Sequence, residues 1–354
     1  MTPSDVRPAS PNHPDRHFRQ CVLCTGPISI DHLVFEADAS VDGHQLRYPS
    51  GNGVITSSII AAMGIPTTIA GRVGDDSNGR VIRDLLQSHG VDVSELHLAP
   101  DLQTKIARNV ISPHGEWRRE SAEPAVVPYL TNGRPPSLDR FTHLHVGGLN
   151  GLVRSAPAAT RSLIEAGRNC RLAASIGLSR RNFDADLFNE LISAQDVVFC
   201  TAYEFRRLTS TESEAPEDVL SSAIASRFES CVITFGALGA IAKWKDTDCY
   251  YVSAHGCSLV HARIEVESQV VRLMECVKHP LVRASTPSVS TVGAGDVFAA
   301  VFLAASLSRY AIPDALRAAD RAASLSVKDR TWDAWLARAP DIPALIRLSK
   351  AESL

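Results

Sequence analysis

The sequence predicts an α/β fold: a doubly wound, mostly parallel sheet covered by helices on both faces. Three observations carry that expectation. From Cys21 onward, short apolar runs alternate with amphipathic segments, the pattern of parallel strands joined by crossover helices. Glycines and polar clusters fall where the apolar runs stop, at the strand ends beyond which such sheets bind ligands. Finally, Ser290-Thr291-Val292-Gly293-Ala294-Gly295-Asp296 leads directly into Val297-Phe298-Ala299-Ala300, a polar turn entering an apolar helix.

Taken in order, residues 1–17 are rich in Pro, Ser, Asp and Arg and lack an apolar stretch, so they read as a flexible tail before one domain over 18–354. Cys21 to Thr25 is a first strand that ends in Gly26. Thr56 to Met63 reads as a helix stopped by Gly64, and Thr67 to Ala70 as the next strand. Val81, Ile82, Leu85 and Leu86 form one face of a helix ending at Gly90. Leu144-His145-Val146 runs into Gly147-Gly148, and a helix follows with Ser155 as N-cap and Pro157 in its first turn. Arg171 to Ser175, Asp196 to Cys200 and Cys231 to Phe235 are further strands. Two stretches, about 33–49 and 104–121, break the alternation and carry β-rich sequence around Asp42-Gly43 and Pro113-His114-Gly115. They predict a small second sheet over the strand ends, a lid.

Composition narrows the function classes. The 354 residues are 45% apolar and 21% charged, with a formal net charge of -3, so no general attraction to nucleic acid or anionic membrane is expected. No apolar run approaches a membrane span. Eight scattered cysteines, several inside apolar runs, fit buried reduced thiols and a cytoplasmic setting. Cys21 and Cys24 have C-x-x-C spacing but lie in a core strand, where a redox pair would need a turn and a helix start. Cys249, His255, Cys257, His261, Cys276 and His279 gather without a clean zinc pairing, so an inserted loop or an oligomer contact is expected there. His143 and His145 read as packed, satisfied histidines. Arg118 and Arg119 can reach a phosphate, although a solvated lid face is the expected reading.

The heptapeptide 290–296 is the strongest chemical signal. Glycines let the main chain approach a ligand, and N–H groups at a helix start point at an anion. Asp296 follows at once, placed to take a proton from an attacking hydroxyl. A dinucleotide-binding reading fails, because no G-x-G-x-x-G follows the first strand.

Together the motifs resemble the ribokinase-like carbohydrate kinases, the PfkB family, from about Cys21 to Lys328. Gly26 to Asp31 is similar to that family's first strand and turn, Ser50-Gly51-Asn52-Gly53 to its substrate loop, and Gly71 to Gly79 to its G-x-V-G-D-D-x-x-G segment. Thr234 to Gly239 resembles its nucleotide-side turn, and Val292 to Asp296 its terminal signature. The resemblance implies a three-layer α/β/α ribokinase-like fold with a β lid, and transfer of the γ-phosphate of ATP to a hydroxyl of a small sugar or nucleoside. It implies Asp296 as base, and Gly293, Ala294 and Gly295 as backbone donors to the transferring phosphate. Asp31, Gly51 and Asn52 would bind the acceptor, Thr234, Gly236 and Gly239 the nucleotide, and Glu204 would act through water on Mg2+. A homodimer through the lid is also in view.

Four departures qualify the resemblance. Ser290 replaces an aspartate that helps hold a monovalent cation, putting potassium activation in doubt. Thr201-Ala202-Tyr203-Glu204 keeps the glutamate of N-x-x-E without the amide. Ile55 stands where the substrate motif ends in Asn, and Ser175-Ile176-Gly177 replaces D-x-N. An unusual acceptor accounts for these losses; the alternative is a catalytically silent ligand-binding or scaffolding homologue of the same fold.

Overall fold

The computed structural model describes residues 20–36, 45–124, 130, 135–177, 185–209, 218–219, 222–223, 226, 228–244, 248–252, 259–267, 270–273 and 288–351. The tail expected over 1–17 and the Asp42-Gly43 turn lie outside them.

The first part of the chain interleaves two sheets. β1 (Val22–Thr25), buried throughout, enters the main sheet, while β2 (Ser29–Phe35) and β3 (Gln45–Ser50) leave it for a smaller one. Helix α1 (Asn52–Ala62) returns the chain to β4 (Thr67–Gly74), and α2 (Ser77–Ser88) leads to β5 (Asp92–Ala99). The chain then leaves again as β6 (Ile106–Ile111) and β7 (Trp117–Glu123), joined through the expected turn at Pro113 to Gly115. The small sheet has the order β3-β2-β6-β7, so the two excursions form the anticipated lid. Between β2 and β6 the chain runs through β3, α1, β4, α2 and β5, and this long connection lets them pair in parallel, with Asp31 opposite Ala107.

Strands β8 (His143–Val146), β9 (Arg171–Ser175), β10 (Val197–Thr201) and β11 (Ser230–Thr234) continue the main sheet. Between them run α3 (Leu149–Ser155), α4 (Pro157–Ala166), α5 (Ala185–Ser193) and α6 (Ala202–Thr209). From β5 through β4, β1, β8, β9 and β10 to β11 every pair is parallel. Beyond β11 the sheet extends in antiparallel hairpins through β12 (Ala240–Trp244), β13 (Asp248–Val252), β14 (Leu259–Glu267) and β15 (Val270–Leu273). The segment from Cys249 is therefore strand in part, not only the inserted loop expected of it. Of its six candidate ligands, Cys249 and His261 fall on β13 and β14, and the other four lie outside the described residues. Among the described residues, no group of three or more His, Cys, Asp or Glu is placed to hold a metal, and no helix is long and apolar enough to cross a membrane.

Two helices form the centre of the core. α7 (Ala294–Leu307) is apolar on all sides and buried from Val297 to Ala305, as a helix covered all round must be. α1 packs beside it and buries Gly53 to Ile60; Ser57 satisfies its hydroxyl on the Gly53 carbonyl at 2.7 Å. α8 (Ile312–Ser326), α9 (Trp332–Leu336) and α10 (Ile342–Ala351) complete the chain. Trp332 is buried and donates its indole N–H to the Pro49 carbonyl at 3.1 Å, fastening α9 to the lid strand β3.

Several expected boundaries change: β4 runs to Gly74, four residues past Ala70, and the first lid excursion begins at Ser29 instead of about 33. α1 begins at Asn52, four residues before the apolar pattern suggested. After Gly147-Gly148 there are two helices, and the second is capped at Ala156 instead of Ser155, whose hydroxyl bonds the Leu152 carbonyl at 3.4 Å. Gly148 in the left-handed region starts the short first helix, and Pro157, with no N–H to satisfy, starts the second.

Candidate active site

The site assembles where β1, α1, β8 and α7 end or begin. Gly51 precedes α1 with φ 102°, and a Cβ there would lie 2.3 Å from the Pro27 carbonyl oxygen, so only glycine lets the substrate loop lie against the turn after β1. That close approach aims Asn52 across the floor. Its Oδ1 lies against Gly148, and its Nδ2 donates to Oδ1 of Asp296 on the first turn of α7. Asp296 is half-buried, and burial pushes its carboxyl up to about 7. The negative charges of Glu204 and Asp31 add to the rise, and the Asn52 amide opposes it.

Gly293 starts α7 in the left-handed region, φ 81°, directly above Ile55. The departure at Ile55 is thus a packing residue: a Cβ on Gly293 would meet its Cδ1 at 2.9 Å. Of the three expected backbone donors, Ala294 closes a turn onto the Thr291 carbonyl at 3.3 Å. Gly293 and Gly295 stand at the helix start, where N–H groups have no intrahelical acceptor. The loop before them is tied to the lid: Thr291 donates both its N–H (3.0 Å) and its hydroxyl (2.9 Å) to the Gly115 carbonyl, and the Ser288 hydroxyl donates to the His114 carbonyl at 2.8 Å. Ser290 is buried and accepts from the Val292 N–H at 3.3 Å, a neutral contact in place of a charge.

On the other side, Thr234 ends β11, and the turn Gly236–Leu238 is closed by the Phe235 N–H on the Gly239 carbonyl at 2.8 Å. Glu204 lies in the first turn of α6 and its Oε2 accepts from the Thr201 N–H (2.8 Å) and hydroxyl (3.0 Å). The Thr201 hydroxyl in turn accepts from the Glu204 N–H at 3.2 Å. This is a capping box, and the T-x-x-E spacing that encodes it was readable in the sequence. The carboxylate that would face a metal therefore also holds its own helix start.

Asp31 sits under the lid, 4% exposed, with Tyr48 opposite it on β3. Burial raises its carboxyl, while Arg119, the Ser50 hydroxyl, the Asn109 amide and Lys105 favour the charged form. Tyr48 and Asn109 were not singled out from the sequence, and Ser50 only as the start of the 50–53 loop; strand pairing brings all three to Asp31. The two lid arginines divide as strand alternation demands: Arg118 reaches Glu36 at 3.4 Å, whereas Arg119 Nε donates to Asn109 Oδ1 at 2.6 Å.

The Gly71–Gly79 motif proves structural. Asp76 caps α2 through the Gly79 N–H at 2.8 Å and also accepts from the Thr104 N–H at 2.8 Å, where the chain enters the lid. These bonds hold its carboxyl below the ordinary range despite burial. A Cβ on Gly79 would lie 2.0 Å from the Gly74 carbonyl oxygen. Of the two strand histidines, His143 bonds Thr142 at 2.8 Å, but His145 is packed without a hydrogen-bond partner among the described residues, and burial pushes it down to about 4. Cys21, Cys24, Cys170, Cys200 and Cys231 are free thiols.

The site so built brings Asn52, Asp296 and Gly293 together, holds Asp31 under the lid, and sets Thr234 and Glu204 at neighbouring strand ends. Comparison with known proteins places the family and the fold. The chain is 25% identical over 295 residues to an ATP-dependent ribose-1-phosphate kinase of Halopiger xanaduensis, covering 82% of this chain and 84% of the relative. It is 25% identical over 270 residues to an aminoimidazole riboside kinase of Salmonella typhimurium, covering 74% and 76%. Its fold matches a fructokinase double mutant from Vibrio cholerae O395, solved with fructose, ADP and potassium ion, with TM-score 0.70 and 20% identity over 94% of this chain and 99% of the other. It also matches a ribokinase from Cryptococcus neoformans var. grubii serotype A in complex with ADP, with TM-score 0.68 and 18% identity over 93% and 99%. The sequence pattern of the pfkB family carbohydrate kinases spans residues 20–259 and 267–333, and the chain belongs to that family.

Proposed function

We propose that this chain transfers the γ-phosphate of ATP to a hydroxyl of a small sugar or nucleoside. One observation carries the reading: Asp296, its carboxyl raised to about 7, stands one residue past Gly295 at the start of α7 with the Asn52 amide on it. A group poised near neutral pH can accept the hydroxyl proton and release it afterwards. Asn52 positions Asp296, and the Gly293 and Gly295 N–H groups face the charge that develops on the phosphate. Ala294 joins them when its turn bond to Thr291 opens. Asp31, with Gly51 and Asn52 at the substrate loop, orients the acceptor, while Thr234, Gly236 and Gly239 line the nucleotide side. The relatives' names span a sugar phosphate and a riboside, and the family alone does not choose between them.

The residues fit Mg2+, because the negative charges of Glu204 and Asp296 oppose one another where a cation would relieve both. Bound with ATP, Mg2+ would neutralise the phosphate oxygens, and Glu204 would reach it through water. Buried, neutral Ser290 supports potassium-independent turnover. Free cysteines fit a cytoplasmic setting. The outer lid strands β3 and β7 offer edges for a homodimer, which gel filtration tests.

The reaction is tested by ADP release with Mg2+ against sugars, sugar phosphates and nucleosides, with and without potassium. Turnover in the parent that disappears in Asp296→Asn supports the reading; equal turnover in both overturns the base. A second reading, ligand binding without transfer, has one observation in its favour: Glu204 Oε2 is engaged in the capping box. Stabilisation by a panel compound, indifferent to Mg2+ and without ADP release, would establish it.

A further inference from the structure

The edge of the main sheet opposite the active site holds a cavity of about 70 Å³. Its floor is the first row of the parallel strands, where Val22, His143 and Arg171 lie side by side as β1, β8 and β9 begin. Alternation puts His145, one row deeper, on the same face. The roof is the end of α7, from Phe302 to Leu307, and Trp244 at the end of β12 closes one side. Asp296 stands in the first turn of α7, so the cavity and the candidate base lie at opposite ends of one helix.

Two side chains that line the cavity carry polar atoms no protein group satisfies. His145 is 1% exposed, and neither of its ring nitrogens has a hydrogen-bond partner among the described residues. The buried Ser306 hydroxyl is likewise unpaired. Buried polar groups without partners are costly, so the pair points to a guest that is not protein. One water needs roughly 10–15 Å³ of such space. The cavity therefore has room for a few waters or one ion of phosphate size, and none for a nucleotide.

Charge decides between these guests. Among the described residues no carboxylate lines the cavity. Arg171 is exposed at its mouth, with its guanidinium 5.4 Å from the centre of the Trp244 ring, and makes no ion pair among the described residues. Asp196, the acid that acts on His143, has Oδ2 engaged by the Leu172 N–H at 2.6 Å. Burial and the Arg171 charge push His143 down to about 4, and burial alone does the same to His145. Both rings are thus neutral near pH 7, and each keeps one N–H to donate. The end of α7 adds little acceptor strength, because the Ala304, Ala305 and Ser306 carbonyls are taken by the N–H groups of Ser308 (2.9 Å), Tyr310 (3.1 Å) and Arg309 (3.0 Å). A lone cation and a ring of donors suit an anion better than water.

We propose that this cavity binds a phosphate-sized oxyanion, with Arg171 as its counter-charge and the His143, His145 and Ser306 side chains as hydrogen-bond donors. The site is separate from the nucleotide and the acceptor, and it does not rest on the kinase reading.

The test titrates inorganic phosphate, and separately sulfate, into the whole chain against potassium chloride at equal ionic strength. Melting temperature and calorimetric affinity are followed in the parent, Arg171→Gln, Arg171→Lys and His145→Phe. Both ions raise melting temperatures through exclusion from protein surface, so the difference between parent and variants is what counts. The parent should show a saturable site. Arg171→Gln should weaken it roughly 10- to 100-fold, the range of a hydrogen bond to a charged group, and Arg171→Lys should recover part of the loss. His145→Phe should abolish the site yet melt no lower than the parent in chloride, because it removes the unpaired ring nitrogens. With ADP and Mg2+ present the affinity should be the same, since the cavity lies away from the cleft. No saturable binding in the parent, or equal affinity in Arg171→Gln, would overturn the proposal and leave the cavity to water. Loss of the response in the presence of ADP would overturn it too, by placing the ion in the active site. None of these readings involves turnover, so the kinase reading stands or falls separately.

Discussion

On the floor of the cleft, α1 and α7 bury almost every side chain, and their adjoining N-terminal turns bring Asn52 onto Asp296. In the lid, β7 exposes Trp117 to Glu120 and sends Arg118 and Arg119 to opposite faces. The floor joins folding and chemistry in the same residues, because the glycines that allow close packing also aim the reacting groups. The lid separates them. Its strands are held by backbone pairing, so side chains facing the acceptor can change with little effect on the fold. On the proposed reading, reaction type is written into the floor, and the lid adds to the acceptor contacts that Gly51 and Asn52 begin.

The largest effect that would break this division is on the floor. Asp296→Asn should lower kcat roughly 10²- to 10⁴-fold, the usual contribution of a general base, with ATP affinity retained in equilibrium binding; a loss below tenfold would remove the base from the floor. Next comes the knot beneath the lid. Gly79→Ala places a methyl where the Gly74 carbonyl stands, and such overpacking costs about 1–3 kcal/mol. A urea midpoint identical to the parent's would show that this junction yields freely.

A pH series sharpens the comparison. Because Asp296 titrates at about 7, kcat/KM should rise about tenfold per unit up to pH 7 and then level off. The Asn52 amide holds that carboxyl down, so Asn52→Leu should move the rise to higher pH. The linkage to stability has the opposite sense. The folded carboxyl keeps a proton that the unfolded chain has lost, from its ordinary value of 3.8 up to about 7. Its stabilising contribution is therefore complete below pH 3.8 and lost as the pH rises through 7. Asp296→Asn should melt higher than the parent above pH 7, with the difference shrinking toward pH 4. The smallest effect belongs to Thr201→Ala, which removes a helix cap worth about 1 kcal/mol by thermal melting. No change would make Glu204 independent of the capping box.

Legibility in the sequence followed the same line. Gly293 to Asp296 could be read because four adjacent residues state both the turn and the acid, and the parallel core because apolar runs alternate with helical ones. The lid end could not, since Asn109 and Arg119 reach Asp31 only through the parallel pairing of β2 with β6, across three strands and two helices of intervening chain, while Tyr48 meets it across the β2–β3 hairpin. A motif can also hide local physics. Thr201 to Glu204 was read for a missing amide, while its own spacing spelled a helix cap. His145 shows the reverse limit: its burial was foreseen, but whether a buried ring finds a partner depends on neighbours from other strands, here Phe199 at 6.3 Å.

Asn52 and Asp296 are separated by 244 positions, yet they share one hydrogen bond. During synthesis, the amide and most of the parallel sheet leave the ribosome long before α7 does. The acid then arrives on the helix that also fills the centre of the core, so a late-made part of the fold and the candidate base are one object. A chain cut anywhere before α7 lacks the centre of its core and Asp296 together. Contacts of such long span also slow folding, so completion of the core and assembly of the candidate site are one event.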